Sequence, residues 1–261
     1  MSQPSSGPTE RLRSPIVTVL GHIDHGKTSL LDKMRGTAVQ EREVAGITQH
    51  IGASFFPTAT IISVCGDLLK TVKAQLTIDG LLFIDTPGHE AYLNLRRRGG
   101  AIADIAILVI DINEGPLTQT YESLKILRSG KTPFLVAANK LDKVPGWRSK
   151  PGMSLANAIA AQVTSTRGEM DRRIYEIVGA LSANDVPSER FDRITDFTKN
   201  VAIVPTSAKT GEGIPELLMV LSGLTQQYMK DRLRVSSGPA KGTVLEVREE
   251  TGLGVTLETI V

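Results

Sequence analysis

The chain alternates apolar runs of strand length with polar stretches and with segments whose apolar positions recur at three and four residues. The runs Ile16 to Leu20, Ile105 to Ile110, Phe134 to Ala138 and Val201 to Pro205 read as strands. Lys73 to Ile78 and Leu81 to Ile84 read as two more, with Asp79-Gly80 between them as a tight hairpin turn. A helix is predicted after Lys27, ending near Arg35-Gly36 where glycine supplies a stop. Another lies around Tyr121 to Leu127. A last one starts near Gly213 and runs to about Arg232, with Ile214, Leu217, Leu218, Leu221 and Leu224 on one face.

The pattern also marks where the chain departs from this alternation. Residues 1–14 are rich in Ser, Pro, Gly and Arg and read as a flexible arm. Thr37 to about Phe56 is polar without a period, the mark of a functional or disordered loop. Between Val144 and Asn200, Leu155, Ile159 and Val163 recur at four. Met170, Ile174, Ile177, Val178 and Leu181 share a helical face, so 146–200 reads as a helical insertion with Trp147 as a packing anchor at its entrance. Ser236-Ser237-Gly238-Pro239 is linker-like, and Gly242 to Arg248 with Gly254 to Val261 reads as a β-hairpin, marginal by itself.

Composition narrows the class only slightly. The 261 residues carry a formal charge of +2, which argues neither for nor against nucleic acid. One cysteine, Cys65, excludes an internal disulfide and fits a reducing cytosol. The longest apolar runs have strand length, not membrane length, so the expectation is a soluble cytoplasmic protein with no membrane partner, monomeric by default.

Candidate chemistry sits at the strand ends. Gly21-His22-Ile23-Asp24-His25-Gly26-Lys27-Thr28, followed by Ser29 on the next helix, has the spacing G-x-x-x-x-G-K-T between a strand and a helix. Backbone N–H groups there can curl around phosphate oxygens, Lys27 adds a cation, and the Thr28 hydroxyl suits Mg²⁺. Asp85-Thr86-Pro87-Gly88-His89 ends a strand: Asp85 can hold Mg²⁺ through a water, Gly88 can bring an N–H to the γ-phosphate, and His89 falls where an attacking water would stand. His89 also reads as a surface histidine at a helix start. Gly46 and Thr48 lie in the polar loop, where Thr48 is either an ordinary loop residue or a ligand closing over Mg²⁺.

The base follows from Asn139-Lys140-Leu141-Asp142. A carboxylate such as Asp142 accepts two hydrogen bonds from guanine, whose edge offers N1–H and N2–H₂, whereas adenine offers no such pair. Asn139 can tie this loop to the phosphate loop, and the Lys140 stem can cover the ring. Ser207-Ala208-Lys209 follows the last strand and can offer the Ala208 N–H to the guanine O6. The fold class is therefore α/β, a P-loop GTPase-type, mostly parallel sheet flanked by helices, with sites along the C-terminal strand ends. Asp24, beside the phosphates, is either a loop cap or a ligand for a monovalent cation, Na⁺ or K⁺. His25 reads as a surface contact. Arg96-Arg97-Arg98 reads as a solvated helix face or a nucleic-acid contact.

These motifs resemble the translational GTPases. Gly46-Ile47-Thr48-Gln49-His50-Ile51-Gly52-Ala53, Asp85 to Tyr92 and Arg96-Arg97-Arg98-Gly99-Gly100 resemble one branch, the universal initiation-factor GTPases called factor two in bacteria and factor five B in archaea and eukaryotes. The likeness covers Pro15 to Leu233, and the insertion resembles the archaeal and eukaryotic form. It implies a GTPase domain over 15–233 and, over 234–261, the start of a β-barrel second domain in a piece of a longer protein. It further implies GTP/GDP and Mg²⁺ as ligands, with Lys27, Asp24 and His89 serving catalysis. Hydrolysis stimulated by the ribosome would release a factor that promotes subunit joining, with initiator tRNA held through domains outside this chain and other initiation factors as partners. The alternatives are another translational GTPase that delivers a tRNA, or a GTP-sensing module with little hydrolysis.

Overall fold

The computed structural model describes residues 12–40, 49–50, 53–71, 76–84, 103–235, 243–250 and 254–260. Its centre is a sheet of eight strands: β1 (Ile16–Gly21), β2 (Gln49–His50), β3 (Ala53–Pro57), β4 (Gly80–Ile84), β5 (Ile105–Asp111), β6 (Phe134–Asn139), β7 (Ser188–Arg190) and β8 (Val201–Pro205). The spatial order is β2-β3-β4-β1-β5-β6-β8-β7; β2 and β3 are antiparallel to their neighbours and all other pairs are parallel. Every residue of β5 is buried, which is why its sequence is an unbroken apolar run: a central parallel strand is covered on both faces.

Among the described residues the α-helices are α1 (Lys27–Gln40), α2 (Thr58–Cys65), α3 (Asp67–Thr71), α4 (Thr118–Gly130), α5 (Leu155–Ala160), α6 (Thr164–Ser182), α7 (Ile214–Tyr228) and α8 (Lys230–Leu233). The chain leaves β1 through α1 toward β4, and leaves β5 through α4 in the other direction, toward β6. Right-handed crossovers therefore set α1 and α4 on opposite faces, and the sheet changes direction between β1 and β5. A crevice opens at such a point, beyond the carboxyl ends of the strands. The start of β1 is pinned by Asp104, whose carboxylate accepts two bonds from Arg13, at 2.6 and 2.8 Å, and one from the Ile16 N–H.

Several elements differ from the sequence reading. Helix α1 does not stop at Gly36 but continues to Gln40. Among the described residues, none outside the helix comes within 4 Å of a Cβ placed at Gly36, and a helical glycine only weakens a helix by about 1 kcal/mol without ending it. The antiparallel partner of β4 is β3, with Phe56 opposite Leu81 and Pro57 opposite Gly80. Residues 76–78, the described part of the expected strand at Lys73 to Ile78, form no strand. Asp79-Gly80 is thus not a hairpin turn: the Asp79 carbonyl accepts from the Thr58 N–H at 3.0 Å instead, closing the excursion through α2 and α3.

Those two helices went unread because Thr58-Ala-Thr-Ile-Ile-Ser-Val-Cys65 is rich in β-branched residues. Tertiary packing holds α2 helical, with buried Ile61 and Cys65 facing a helical layer that includes α7. The Cys65 thiol donates to the Pro215 carbonyl at 3.4 Å, and burial with the nearby Glu216 carboxylate pushes its pKa up to about 12.

The segment 146–200 holds α5 and α6 as expected, but also β7, which extends the sheet beside β8. Trp147 is buried, with its indole N–H facing the Glu212 carboxylate at 3.4 and 3.5 Å. The long last helix is interrupted at Met229, which separates α7 from α8. A separate antiparallel ladder pairs β9 (Thr243–Glu250) with β10 (Gly254–Ile260).

Candidate functional site

The loop from β1 to α1 turns on two glycines. Gly21 has φ +137°, and a Cβ there would sit 2.3 Å from the Val109 carbonyl oxygen on β5; Gly26 has φ +89°, and its Cβ would sit 2.6 Å from the Asn139 amide nitrogen. Both positions exclude a side chain on two counts, backbone geometry and space. The Lys27 ammonium folds back and donates to the Gly21 carbonyl at 3.0 Å and the His22 carbonyl at 2.6 Å. Burial pushes its pKa down, with the Asp24 carboxylate opposing, so an incoming anion gains a cation that is already half desolvated. Asp24, Thr28 and Ser29 are exposed, as is Ile23. The Ile23 N–H donates to the Gln119 side-chain oxygen at 2.8 Å.

His25 corrects the sequence reading. It is fully buried, not a surface contact. Its Nδ1 lies 3.4 Å from the Val109 carbonyl and its Nε2 lies 3.6 Å from the Glu114 carboxylate, while the His22 ring meets it edge-on at 5.1 Å. Burial lowers the His25 pKa, so the ring is a neutral wedge between the phosphate loop and β5. His22 Nδ1 is buried with no hydrogen-bond partner among the described residues.

Asn139, at the end of β6 and buried, joins three loops. Its amide donates to the His25 carbonyl at 2.9 Å, and its carbonyl oxygen accepts the Ala208 N–H at 3.0 Å. The tie to the phosphate loop is as expected. The Ala208 N–H, expected to be offered to a base, is engaged within the protein. Lys140 takes a left-handed backbone, φ 64°, and its ammonium pairs with Asp111 at 2.7 Å. Burial raises the Asp111 pKa, but the bonds from Lys140 and Asn113 outweigh it and the net direction is downward. One Asp142 carboxylate oxygen accepts the Ser207 hydroxyl at 2.6 Å, which orients the group. Lys209 is exposed beside it.

The structure thus brings Gly21 to Ser29, Asn139, Lys140, Asp142, Ser207, Ala208 and Lys209 to one end of the sheet. Gly46, Thr48, Asp85, Gly88 and His89 lie outside the described residues, as do Arg96, Arg97 and Arg98. Sequence reasoning missed Asp111, Asn113, Thr210 and Glu212. Asp111 had a legible signal, a carboxylate closing a buried strand, the same placement that marked Asp85.

The donor set fits a nucleoside phosphate: two glycines keep the loop open for backbone N–H groups and a half-buried ammonium waits at its mouth. It also fits Mg²⁺, which needs few protein ligands when phosphates supply the others. Thr28 presents its hydroxyl at the first turn of α1, and no group of three or more His, Cys, Asp or Glu among the described residues forms a rival metal site.

A phosphate loop tied through one asparagine to a carboxylate on the neighbouring strand loop defines a P-loop domain for guanine nucleotides. The family described as Elongation factor Tu GTP binding domain matches residues 12–227, and the chain belongs to that family of GTPase domains. It is 58% identical over 253 residues to a probable translation initiation factor IF-2 of Sulfurisphaera tokodaii, covering 97% of this chain and 42% of the relative. The relative of the same name from Methanopyrus kandleri is 56% identical, with 95% and 42% covered. Among solved structures, GDP-bound aIF5B from Aeropyrum pernix matches with a TM-score of 0.90 at 56% identity, over 95% of this chain and 42% of that one. The apo form of translation elongation factor SelB from Methanococcus maripaludis matches at 0.58 and 26% identity, over 95% and 42%. The chain therefore spans less than half the length of the relatives it matches. Among the described residues no helix is long and apolar enough to cross a membrane.

Proposed function

We propose that this chain binds GTP and GDP through the sites described and hydrolyses GTP by in-line attack of water on the γ-phosphate. The observation that carries the base assignment is the Asp142 carboxylate, oriented by Ser207 at 2.6 Å on the loop that Asn139 ties to the phosphate loop. Lys27 exchanges its two loop carbonyls for phosphate oxygens and carries the charge that builds up as the bond breaks. His89 orients the water. Thr28, Thr48 and, through a water, Asp85 would hold Mg²⁺, which when bound would offset the charge of the β- and γ-phosphates. Asp24, exposed next to the phosphates, binds a monovalent cation; equal hydrolysis rates in sodium, potassium and choline salts would remove it from the mechanism.

The base assignment is tested by Asp142→Asn, which turns one acceptor into a donor and should shift preference from guanine to xanthine nucleotides. Retained guanine preference would overturn it.

In the longer protein the domain serves as the GTPase of a translation initiation factor. There it answers to the ribosome, promotes subunit joining with initiator tRNA held by segments outside this chain, and leaves after hydrolysis. High identity to proteins named as initiation factors supports this over a tRNA-delivering elongation factor. A partner that completes such a site can raise turnover about 10⁵-fold, about 7 kcal/mol of barrier. GTP turnover by the longer protein, with and without ribosomes, tests it. Strong stimulation that His89→Ala abolishes while GTP affinity survives is the expected result. Absent stimulation with intact GTP binding would favour a nucleotide-sensing module.

A further inference from the structure

The segment 146–200 is joined to the base loops by hydrogen-bond relays, through side chains and backbone groups, that end on the Asp142 carboxylate and the Lys140 carbonyl. On one side the junction is Glu212, a buried carboxylate at the head of α7. Its Oε1 accepts the Lys150 N–H at 2.8 Å and its Oε2 accepts the Thr210 hydroxyl at 2.7 Å. The Thr210 N–H donates to Ser207 Oγ at 3.1 Å, and the Ser207 hydroxyl donates to Asp142 at 2.6 Å. The segment is rigid where it joins, because buried Gln162 clamps Arg148 through both the N–H and the carbonyl, at 2.9 and 2.8 Å.

On the other side α6 reaches the loop after β5. Arg173, held by Glu169 at 2.7 Å, donates to the Asn113 carbonyl at 3.2 Å and to its side-chain oxygen at 3.1 Å. The Asn113 amide then donates to the Lys140 carbonyl at 3.2 Å. Burying a carboxylate such as Glu212 costs free energy unless donors surround it. A hydrophobic residue would pack the joint at no such cost, but it could not dictate where a hydroxyl two steps away points.

We infer that the segment 146–200 is a built-in clamp of the base site, with Thr210 and Glu212 as positioning residues that set guanine discrimination and Arg173 as one that sets nucleotide affinity through Lys140. This rests on Asp142 reading guanine. Inosine nucleotides lack the N2 amino group, so the preference for GDP over IDP reports how well the Asp142 carboxylate is aimed, independently of phosphate binding.

Dissociation constants for GDP and IDP on the whole chain test the clamp. Thr210→Val keeps the shape of the side chain and removes the hydroxyl. It should lower the GDP preference about three- to tenfold, the scale of one mis-set hydrogen bond, and leave IDP affinity within about twofold. Thr210→Ser should restore it. Arg173→Gln should weaken both nucleotides about threefold through Lys140, while Arg167→Gln, which bonds Thr164 on the exposed face of α6, should change neither. An unchanged GDP preference in Thr210→Val, with or without a lower melting temperature, would overturn the clamp if Asp142→Asn still switches the protein to xanthine nucleotides. Failure of that switch would overturn the guanine reading beneath it.

Discussion

The two halves of the proposed nucleotide site are prepared in opposite ways. On the base side Asn139, Lys140, Asp142 and Ser207 have protein partners, and Asp111 and Glu212 are buried carboxylates surrounded by donors. On the phosphate side Asp24, Thr28 and Ser29 are exposed, Lys27 rests on carbonyls of its own loop, and nitrogens of His22 and His25 are buried without a hydrogen bond among the described residues. The difference teaches where binding energy goes. A rigid acceptor frame suits a flat, uncharged base whose edge must be read by geometry. The phosphates carry their own charge, so an electropositive loop that reorganises around them serves better than one whose donors are already spent.

The largest break in this contrast should come from Lys27→Ala. Removing a half-buried cation from the anion site should weaken GDP about 10²- to 10³-fold, readable by titration, while thermal stability without nucleotide changes little. If affinity falls less than tenfold, the loop amides alone carry the phosphates.

Gly26→Ala attacks the seam between the halves. The new Cβ would meet the Asn139 amide at 2.6 Å in a backbone conformation L residues avoid. The folded state should lose about 2 kcal/mol in a urea titration, and base discrimination should suffer together with phosphate affinity. Loss of phosphate affinity alone would mean that the seam transmits nothing.

The base side can be probed by acid. Asp111 has a lowered folded pKa, so its pair with Lys140 contributes stability above about pH 4, where the unfolded carboxylate is also ionised, and loses it as pH falls through the folded value. Asp111→Asn should cost about 2 kcal/mol at pH 7 and flatten the acid limb of the stability profile. An acid limb identical to that of the unaltered chain would mean that other carboxylates dominate it.

Gly36→Ala gives the smallest effect. It adds a methyl group where no atom of the described residues outside the helix lies within 4 Å, in the helix that leaves the phosphate loop. It should stabilise by about 0.5 to 1 kcal/mol with nucleotide affinity unchanged, which separates helix stability from loop readiness. A change in affinity would show that α1 and the loop move as one.

Much of this contrast was legible in the sequence because phosphate and guanine chemistry fix residue spacing at strand ends. Lys27, Asn139 and Asp142 could be named, and the tie from Asn139 to the phosphate loop could be anticipated. What escaped was set by tertiary neighbours. His25 lies in a polar stretch, and nothing local says that Val109 of β5 will lie over it. The strand partner of β4 was misread because Asp79-Gly80 has the chemistry of a hairpin turn, whereas the packing of Ile61 and Cys65 routes the chain through α2 first. Glu212 and Glu216 carry no local signal of burial. Their burial depends on the 147–155 segment folding onto them, with the Leu155 N–H donating to Glu216 at 2.6 Å.

The enclosure of Cys65 has a practical side. It is the chain's single cysteine, and its thiol, with a pKa near 12, stays protonated and shielded at neutral pH. Alkylating dyes attack thiolates, so the native sulfur should be silent toward them while the protein is folded. A cysteine introduced at exposed Met153, on the segment that grips the base loops, would then be the one site to take a fluorophore. Such a probe needs no deletion of the native cysteine, and it would record in real time how that segment moves when nucleotide enters or leaves.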